Sequence, residues 1–207
     1  AGHAGGRAAL TLREEGYTGR LILIGDEPHL PYERPPLSKG LLQGTADLAG
    51  YSLCDHERLA ALNIEHIGAN PVTRLQPEQH RLQLADGQWL PYAGLLLATG
   101  GRARRLPQSA ANVLYLRTHD EALALRDALK PGTRLVVVGG GFIGLEVAAT
   151  ARGLGCEVTV LEAGPRLAGR VLPPVISQAL LDLHREHGVE VRLNVALESI
   201  QADAVLL

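Results

Sequence analysis

Apolar residues fall in two rhythms along this chain. Short continuous runs at residues 21–24 (LILI), 95–98 (LLLA), 135–138 (LVVV), 158–161 and 189–193 read as strands. Those at 95–98 and 135–138 read as buried strands, the latter on both faces, as in a parallel sheet. A helical period marks 7–15, 55–62, 118–129, 142–154 and 176–186. In 142–154 the residues Ile143, Val147 and Ala151 recur on one face. Between these segments, residues 71–75, 81–84 and 89–92 read as a small antiparallel meander, with Asp86-Gly87 as a hairpin turn. Gly16, the pair Pro131-Gly132 and Gly153 stop helices, and Gly188 is placed to cap the last one. Asp120 and Glu121 fall in the first turn of the helix that follows Arg117-Thr118, where the helix dipole favours them.

One stretch combines these signals into a chemical motif. Residues 135–162 read LVVVGGGFIGLEVAATARGLGCEVTVLE: strand, glycine turn, helix, strand, acid. Gly139, Gly141 and Gly144 have G-x-G-x-x-G spacing. The first allows a tight turn, the second lets a pyrophosphate approach the backbone, and the third lets helix and strand pack closely. The helix N-terminus then offers free N–H groups to an anion. Glu162 stands 23 positions after Gly139, near the ~20 expected for an acid on a ribose 2′-OH. Its charge favours NADH over NADPH. The same grammar opens the chain. Gly2 and Gly5 precede a helical run, the LILI strand and Asp26, which stands 21 positions after Gly5. The chain therefore reads as two dinucleotide-binding βαβ units, the first without its leading strand.

Composition narrows the class. The 207 residues are 46% hydrophobic with net charge −2, enough for one large or two smaller cores and not basic enough for nucleic acid or an anionic membrane. No apolar run nears the ~20 residues of a membrane helix. Cys54 and Cys156 form no disulfide or metal pattern, which points to a soluble protein of a reducing compartment, the cytoplasm. His56, His66 and His80 lack ligand spacing, and His184 with His187 reads as a solvated helix end, so no metal is expected. The basic residues include only two lysines, Lys39 and Lys130, which draws attention to Lys39 because ammonium and guanidinium are not interchangeable. Lys39 ends a proline-rich loop, PHLPYERPPLSK, in which Ser38 is placed to cap a helix over 39–42. Arg102, Arg104 and Arg105 read as a solvated basic loop, with docking of an acidic partner as the sharper alternative. With no Met and no strand before the first glycines, the sequence reads as a piece of a longer chain.

Four blocks carry a specific likeness: AGHAGGRAALTLRE, IGDEPHLPYERPPLSK, LLLATGGRARRLP and VVVGGGFIGLEVAATARGLGCEVTVLE. In that order they resemble the ferredoxin and rubredoxin reductase branch of the FAD-dependent pyridine nucleotide oxidoreductases, the reductases of dioxygenase and P450 systems. The resemblance implies an α/β chain of two Rossmann-like domains in three ββα layers, both incomplete: an FAD-binding part at 1–112 and an NAD-binding part at 113–207. It implies FAD and NADH as cofactors and an iron–sulfur protein, ferredoxin or rubredoxin, as acceptor. Gly2, Ala4 and Gly5 would meet the FAD pyrophosphate and Asp26 the ribose. Arg34 and Lys39 would lie along FAD, with Lys39 near the isoalloxazine. Val72 would meet the adenine, Thr99 and Gly100 would back the flavin, and Arg117 would contact FAD where the domains cross. Gly139, Gly141, Phe142, Ile143, Gly144 and Glu162 would hold NADH. Glu146 would approach the nicotinamide and pair with Lys39 across the domain boundary. No cysteine lies in residues 28–39, so the dithiol of the related disulfide reductases is missing. The alternatives are an apoptosis-inducing-factor-like signalling flavoprotein and an NADH oxidase-type enzyme.

Overall fold

The computed structural model describes residues 1–106, 110, 112–195 and 197–201, and the backbone of 205–206. Pro107, in the third block above, and Leu207 lie outside the described residues. The chain forms two compact units. The first comprises residues 1–34 and 48–102, and the second 35–47 and 103–207.

In the first unit, α1 (His3–Glu14) leads to β1 (Leu21–Ile24). Two short helices follow, α3 (Leu48–Tyr51) and α4 (His56–Ala61), with α2 (Gly40–Gln43) before them in the intervening residues of the second unit. Asp55 caps α4, its carboxylate accepting from the Arg58 N–H at 2.7 Å. Strand β2 (Ile64–Ile67) pairs in parallel with β1, Leu23 opposite His66. On one face of this ribbon Leu23 and Ile64 pack with Ala9, Leu10, Cys54 and Leu59. On the other, Ile24 and Ile67 meet Leu82, Leu84 and Leu90 of a meander. That meander is β3 (Val72–Gln76), β4 (Arg81–Leu84) and β5 (Trp89–Pro91), antiparallel in that order, with Gly87 at the hairpin. Helix, parallel ribbon and meander thus stack as three layers, as expected. The run at 95–98 departs from expectation. It forms no strand, and Leu96 and Leu97 are exposed. An apolar run becomes a strand only when a neighbour takes its backbone groups, and none is paired with it among the described residues.

In the second unit, α5 (His119–Ala128) starts on a capping box. The Thr118 hydroxyl accepts from the Glu121 N–H, and the Glu121 carboxylate accepts from the Thr118 N–H, both at 3.2 Å. The expected dipole role of Glu121 is therefore exceeded by a specific cap. Strand β6 (Arg134–Val138), α6 (Phe142–Gly153), β7 (Glu157–Glu162), α7 (Pro174–Glu186) and β8 (Glu190–Leu193) follow. The sheet is parallel in the order β6-β7-β8, with Val137 opposite Val160 and Val160 opposite Val191. A short antiparallel pair, β9 (Ser199–Ile200) and β10 (Val205–Leu206), ends the chain. Burial corrects two expectations. Strand β6 is covered on alternate residues only, leaving Val136 and Val138 partly exposed. On α6 the buried set is Leu145, Val147, Ala148, Thr150 and Ala151, while Ile143 is exposed. Ile143 lies in the first turn of α6. His184 is another correction: it is buried, with Nδ1 2.8 Å from the Leu180 carbonyl and Nε2 3.3 Å from that of Leu145. Among the described residues no helix is long and apolar enough to cross a membrane.

Candidate nucleotide and electron-transfer site

The glycine turn between β6 and α6 has the geometry its spacing predicts. Gly139 has φ +106°, a conformation that side chains resist. A Cβ on Gly144 would collide with the Gly139 carbonyl oxygen and stand 3.1 Å from Val137 Cγ1, so this glycine serves the contact of helix with strand. A Cβ on Gly141 would meet nothing within 4 Å. Gly141 is the N-cap of α6, with no side-chain cap and no acid in the first turn. The open space in front of bare N–H groups is what an incoming pyrophosphate requires. Phe142 and Ile143 stand half exposed beside it.

Glu162 lies at the end of β7, against this turn. One carboxylate oxygen accepts from the Gly140 N–H at 2.8 Å and the other from the Gly164 N–H at 2.7 Å. The acid is thereby fixed in place with lone pairs still available to hydroxyls. Gly140 was not singled out in the sequence. A Cβ there would press on Leu167 and stand 3.2 Å from Glu162 Cβ. The uninterrupted GGG was the only available signal.

The proline-rich loop divides between the units. Residues 28–34 belong to the first and 35–47 to the second. In the first, Arg34 bonds Glu27 at 2.7 Å and Tyr32 Oη at 3.2 Å, and its guanidinium stacks on the Tyr32 ring. Tyr32 also donates to Glu27. A Cβ on Gly2 would lie 3.7 Å from Arg34 Nη2, so these two expected residues adjoin. Gly2 is the N-cap of α1, again with no side-chain cap. Ala4 is exposed, and Gly5 is buried against Leu23 and Ala98. Asp26 is exposed at the end of β1. Val72 is exposed at the start of β3, and Thr99 and Gly100 are exposed in irregular chain. In the second unit Arg117 precedes α5, its N–H donating to Glu121 at 2.8 Å. Arg105 pairs with Glu121 at 3.0 Å and stacks on Tyr115, so that member of the basic loop is tied to the surface.

Lys39 and Glu146 meet inside the second unit. Residues 35–38 form a 3-10 turn and α2 follows, and both pack on α6. Lys39 Nζ is 2.9 Å from Glu146 Oε1. Ser38 does not cap α2, whose N-cap is Lys39. Its hydroxyl instead donates to Glu146 Oε2 at 2.5 Å. Burial pushes the Glu146 carboxyl up, yet the hydrogen bonds from Lys39 and Ser38 prevail and hold it below the ordinary carboxylate range. Ser38 is the site residue that sequence reasoning missed, because an N-cap reading explained the hydroxyl locally.

These features converge with comparisons to known proteins. The profile of pyridine nucleotide-disulphide oxidoreductases matches residues 1–207. The chain belongs to the pyridine nucleotide-disulphide oxidoreductase family. This family member is 43% identical to rhodocoxin reductase of Rhodococcus erythropolis over 204 residues, 97% of this chain and 48% of that protein. It is 42% identical to the ferredoxin–NAD(+) reductase component of the p-cumate 2,3-dioxygenase system of Pseudomonas putida, over 100% of this chain and 52% of that one. Among solved structures, the covalent putidaredoxin reductase–putidaredoxin complex superposes with TM-score 0.94 at 39% identity, covering 99% of this chain and 52% of that one. The ferredoxin reductase for the CYP199A2 system from Rhodopseudomonas palustris gives 0.93 at 41%, with 99% and 52% covered. The chain thus spans about half the length of the relatives it matches. Its fold is the mixed α/β, Rossmann-type FAD/NAD(P)-binding fold of the family.

Proposed function

We propose that the whole protein is an NADH-dependent, FAD-containing reductase that passes electrons to an iron–sulfur protein of the ferredoxin or rubredoxin type. The observation that carries this reading is Lys39 paired with Glu146 at 2.9 Å, at the end of a loop without any cysteine. A member of a family named for disulphide chemistry has there a charge pair in place of a dithiol. The names of its relatives, reductases of ferredoxins, agree.

Both cofactors fit the residues present. The open space at Gly141 and the uncapped start of α6 suit the NADH pyrophosphate, and the clamped Glu162 suits the ribose hydroxyls. Phe142, Ile143 and Gly144 complete that turn. In the first unit, Gly2 with Arg34 and the exposed Ala4 and Asp26 suit the corresponding parts of FAD, with Gly5 bringing α1 close to β1. Val72, Thr99 and Gly100 would line the remaining length of FAD, and Arg117 is proposed as a further FAD contact. FAD supplies acceptance of an electron pair and its release one electron at a time. The chain would supply orientation and charge: Lys39 would offer an ammonium to the negative charge of the reduced flavin, and Glu146 holds that ammonium at 2.9 Å. The domain reading, FAD part at 1–112 and NAD part at 113–207, belongs to this proposal. So does a cytoplasmic location, in keeping with two free, buried cysteines.

The test is NADH-driven reduction of cytochrome c by the full-length protein, with and without added ferredoxin. Stimulation of tenfold or more by ferredoxin supports the reading. NADH-driven reduction of a disulfide without it would overturn the reading.

A further inference from the structure

The Lys39–Glu146 pair is too open to fix its own geometry. The two side chains are 51% and 34% exposed. Exposed ion pairs contribute roughly 0–1 kcal/mol and leave a long lysine many rotamers. Something else must hold the carboxylate.

That something is buried next to it. Ser38 is 4% exposed. Its single hydroxyl proton has two acceptors within reach, Glu146 Oε2 at 2.5 Å and the Pro35 carbonyl at 3.4 Å. The shorter contact, to an ionised acceptor, takes the proton, since charge-assisted bonds are roughly twice as strong as neutral ones. Ser38 is held in turn. Thr150, also buried, donates through Oγ1 to the Ser38 carbonyl at 3.1 Å. Glu146 and Thr150 are four apart on α6 and so share a face. One face of the helix thus grips one residue of the loop twice, through its hydroxyl and through its carbonyl. The carboxylate then has one oxygen assigned to Ser38 and the other left for Lys39.

We propose that Ser38 is a positioning residue: its buried hydroxyl, with Thr150 holding its backbone, orients the Glu146 carboxylate so that the Lys39 ammonium is presented in one geometry to the flavin. The part concerning the flavin rests on the reductase reading above. The grip on Lys39 is a property of the chain alone.

The two halves are tested separately on the full chain. In 15N-lysine-labelled protein the ammonium signals of Lys39 and Lys130 are identified by their loss in Lys39→Arg and Lys130→Arg. In the flavin-free protein, the Lys39 ammonium is expected to be ordered and that of Lys130 mobile. Ser38→Ala is expected to release Lys39 to the mobility of Lys130, and Ser38→Thr to restore its order. In the flavin-loaded protein, stopped-flow reduction by NADH is expected to slow at least fivefold in Ser38→Ala, with the NADH Kd within twofold and rescue by Ser38→Thr. If Ser38→Ala fails to fold, Thr150→Val supplies the variant, with the same direction and a smaller effect. Unchanged order at Lys39, or a rate and Kd that worsen together, overturns the proposal. A wild-type protein that NADH does not reduce refutes the reductase reading, and the ammonium signals still decide the role of Ser38.

Discussion

The glycines of the β6–α6 turn make separable demands, and two substitutions to alanine distinguish them. At Gly139 the backbone has φ +106° and a Cβ would touch nothing. The whole cost of Gly139→Ala is conformational strain, about 2 kcal/mol within the range for residues forced into such regions. For a chain of this length that corresponds to a fall of about 4–8 °C in Tm. At Gly141 the backbone is extended, with φ −82° and ψ 175°, and a Cβ again meets nothing. Alanine is a poorer N-cap than glycine by about 0.5–1 kcal/mol, and the loss of unfolded-state freedom returns about 0.4–1 kcal/mol. Gly141→Ala should therefore move Tm by no more than about 2 °C. Its effect should fall on binding, because the added methyl occupies the space left for the pyrophosphate. A tenfold or greater loss of NADH affinity, about 1.4 kcal/mol, is expected. Thermal scans by circular dichroism and NADH titration by fluorescence measure the two quantities. Equal falls in Tm for both variants, or unchanged NADH affinity in Gly141→Ala, would refute the assignment of an anion to this turn.

Other consequences follow from single contacts. Thr118→Ala removes the capping box of α5 and should cost about 1 kcal/mol, a fall of about 2–4 °C in Tm, whereas Thr118→Ser should keep most of it. Glu162→Ala removes the charge expected to reject a 2′-phosphate. The NADH to NADPH ratio of kcat/KM should fall at least tenfold, and Tm should fall as well, because the Gly140 and Gly164 N–H groups lose their acceptor. The pH dependence of Glu146 has a definite sign. Its folded pKa is depressed, so its contribution to stability is present above the ordinary carboxylate value, about 4.3, and is lost as pH falls through the lower folded pKa. The difference in thermal stability between wild type and Glu146→Gln should thus shrink on acidification below that value. A difference that grows on acidification would contradict the depressed pKa.

What the sequence made legible and what it hid have one physical origin. Strand β1, the meander and the α6 turn were readable because their causes are local: apolar runs, a hairpin Asp-Gly, glycines at fixed offsets. The buried strand expected at 95–98 did not form, because a strand depends on what lies beside it and no local residue encodes that. Ile143 looked like a core residue by period and is exposed, because periodicity gives a face and not the extent of its cover. Ser38 shows the same limit at the site. By local rules Ser before a helical run is a cap, and the competing acceptor stands 108 positions away. An ionised carboxylate outweighs a helix end for that hydroxyl, since leaving an ionised acceptor short of a donor costs more than leaving a helix-end N–H to water. Two charged residues can be matched from a motif, but the neutral groups that orient them are chosen by packing. It is at such groups, Ser38 and Thr150 here, that the structure adds chemistry to the charges a sequence displays.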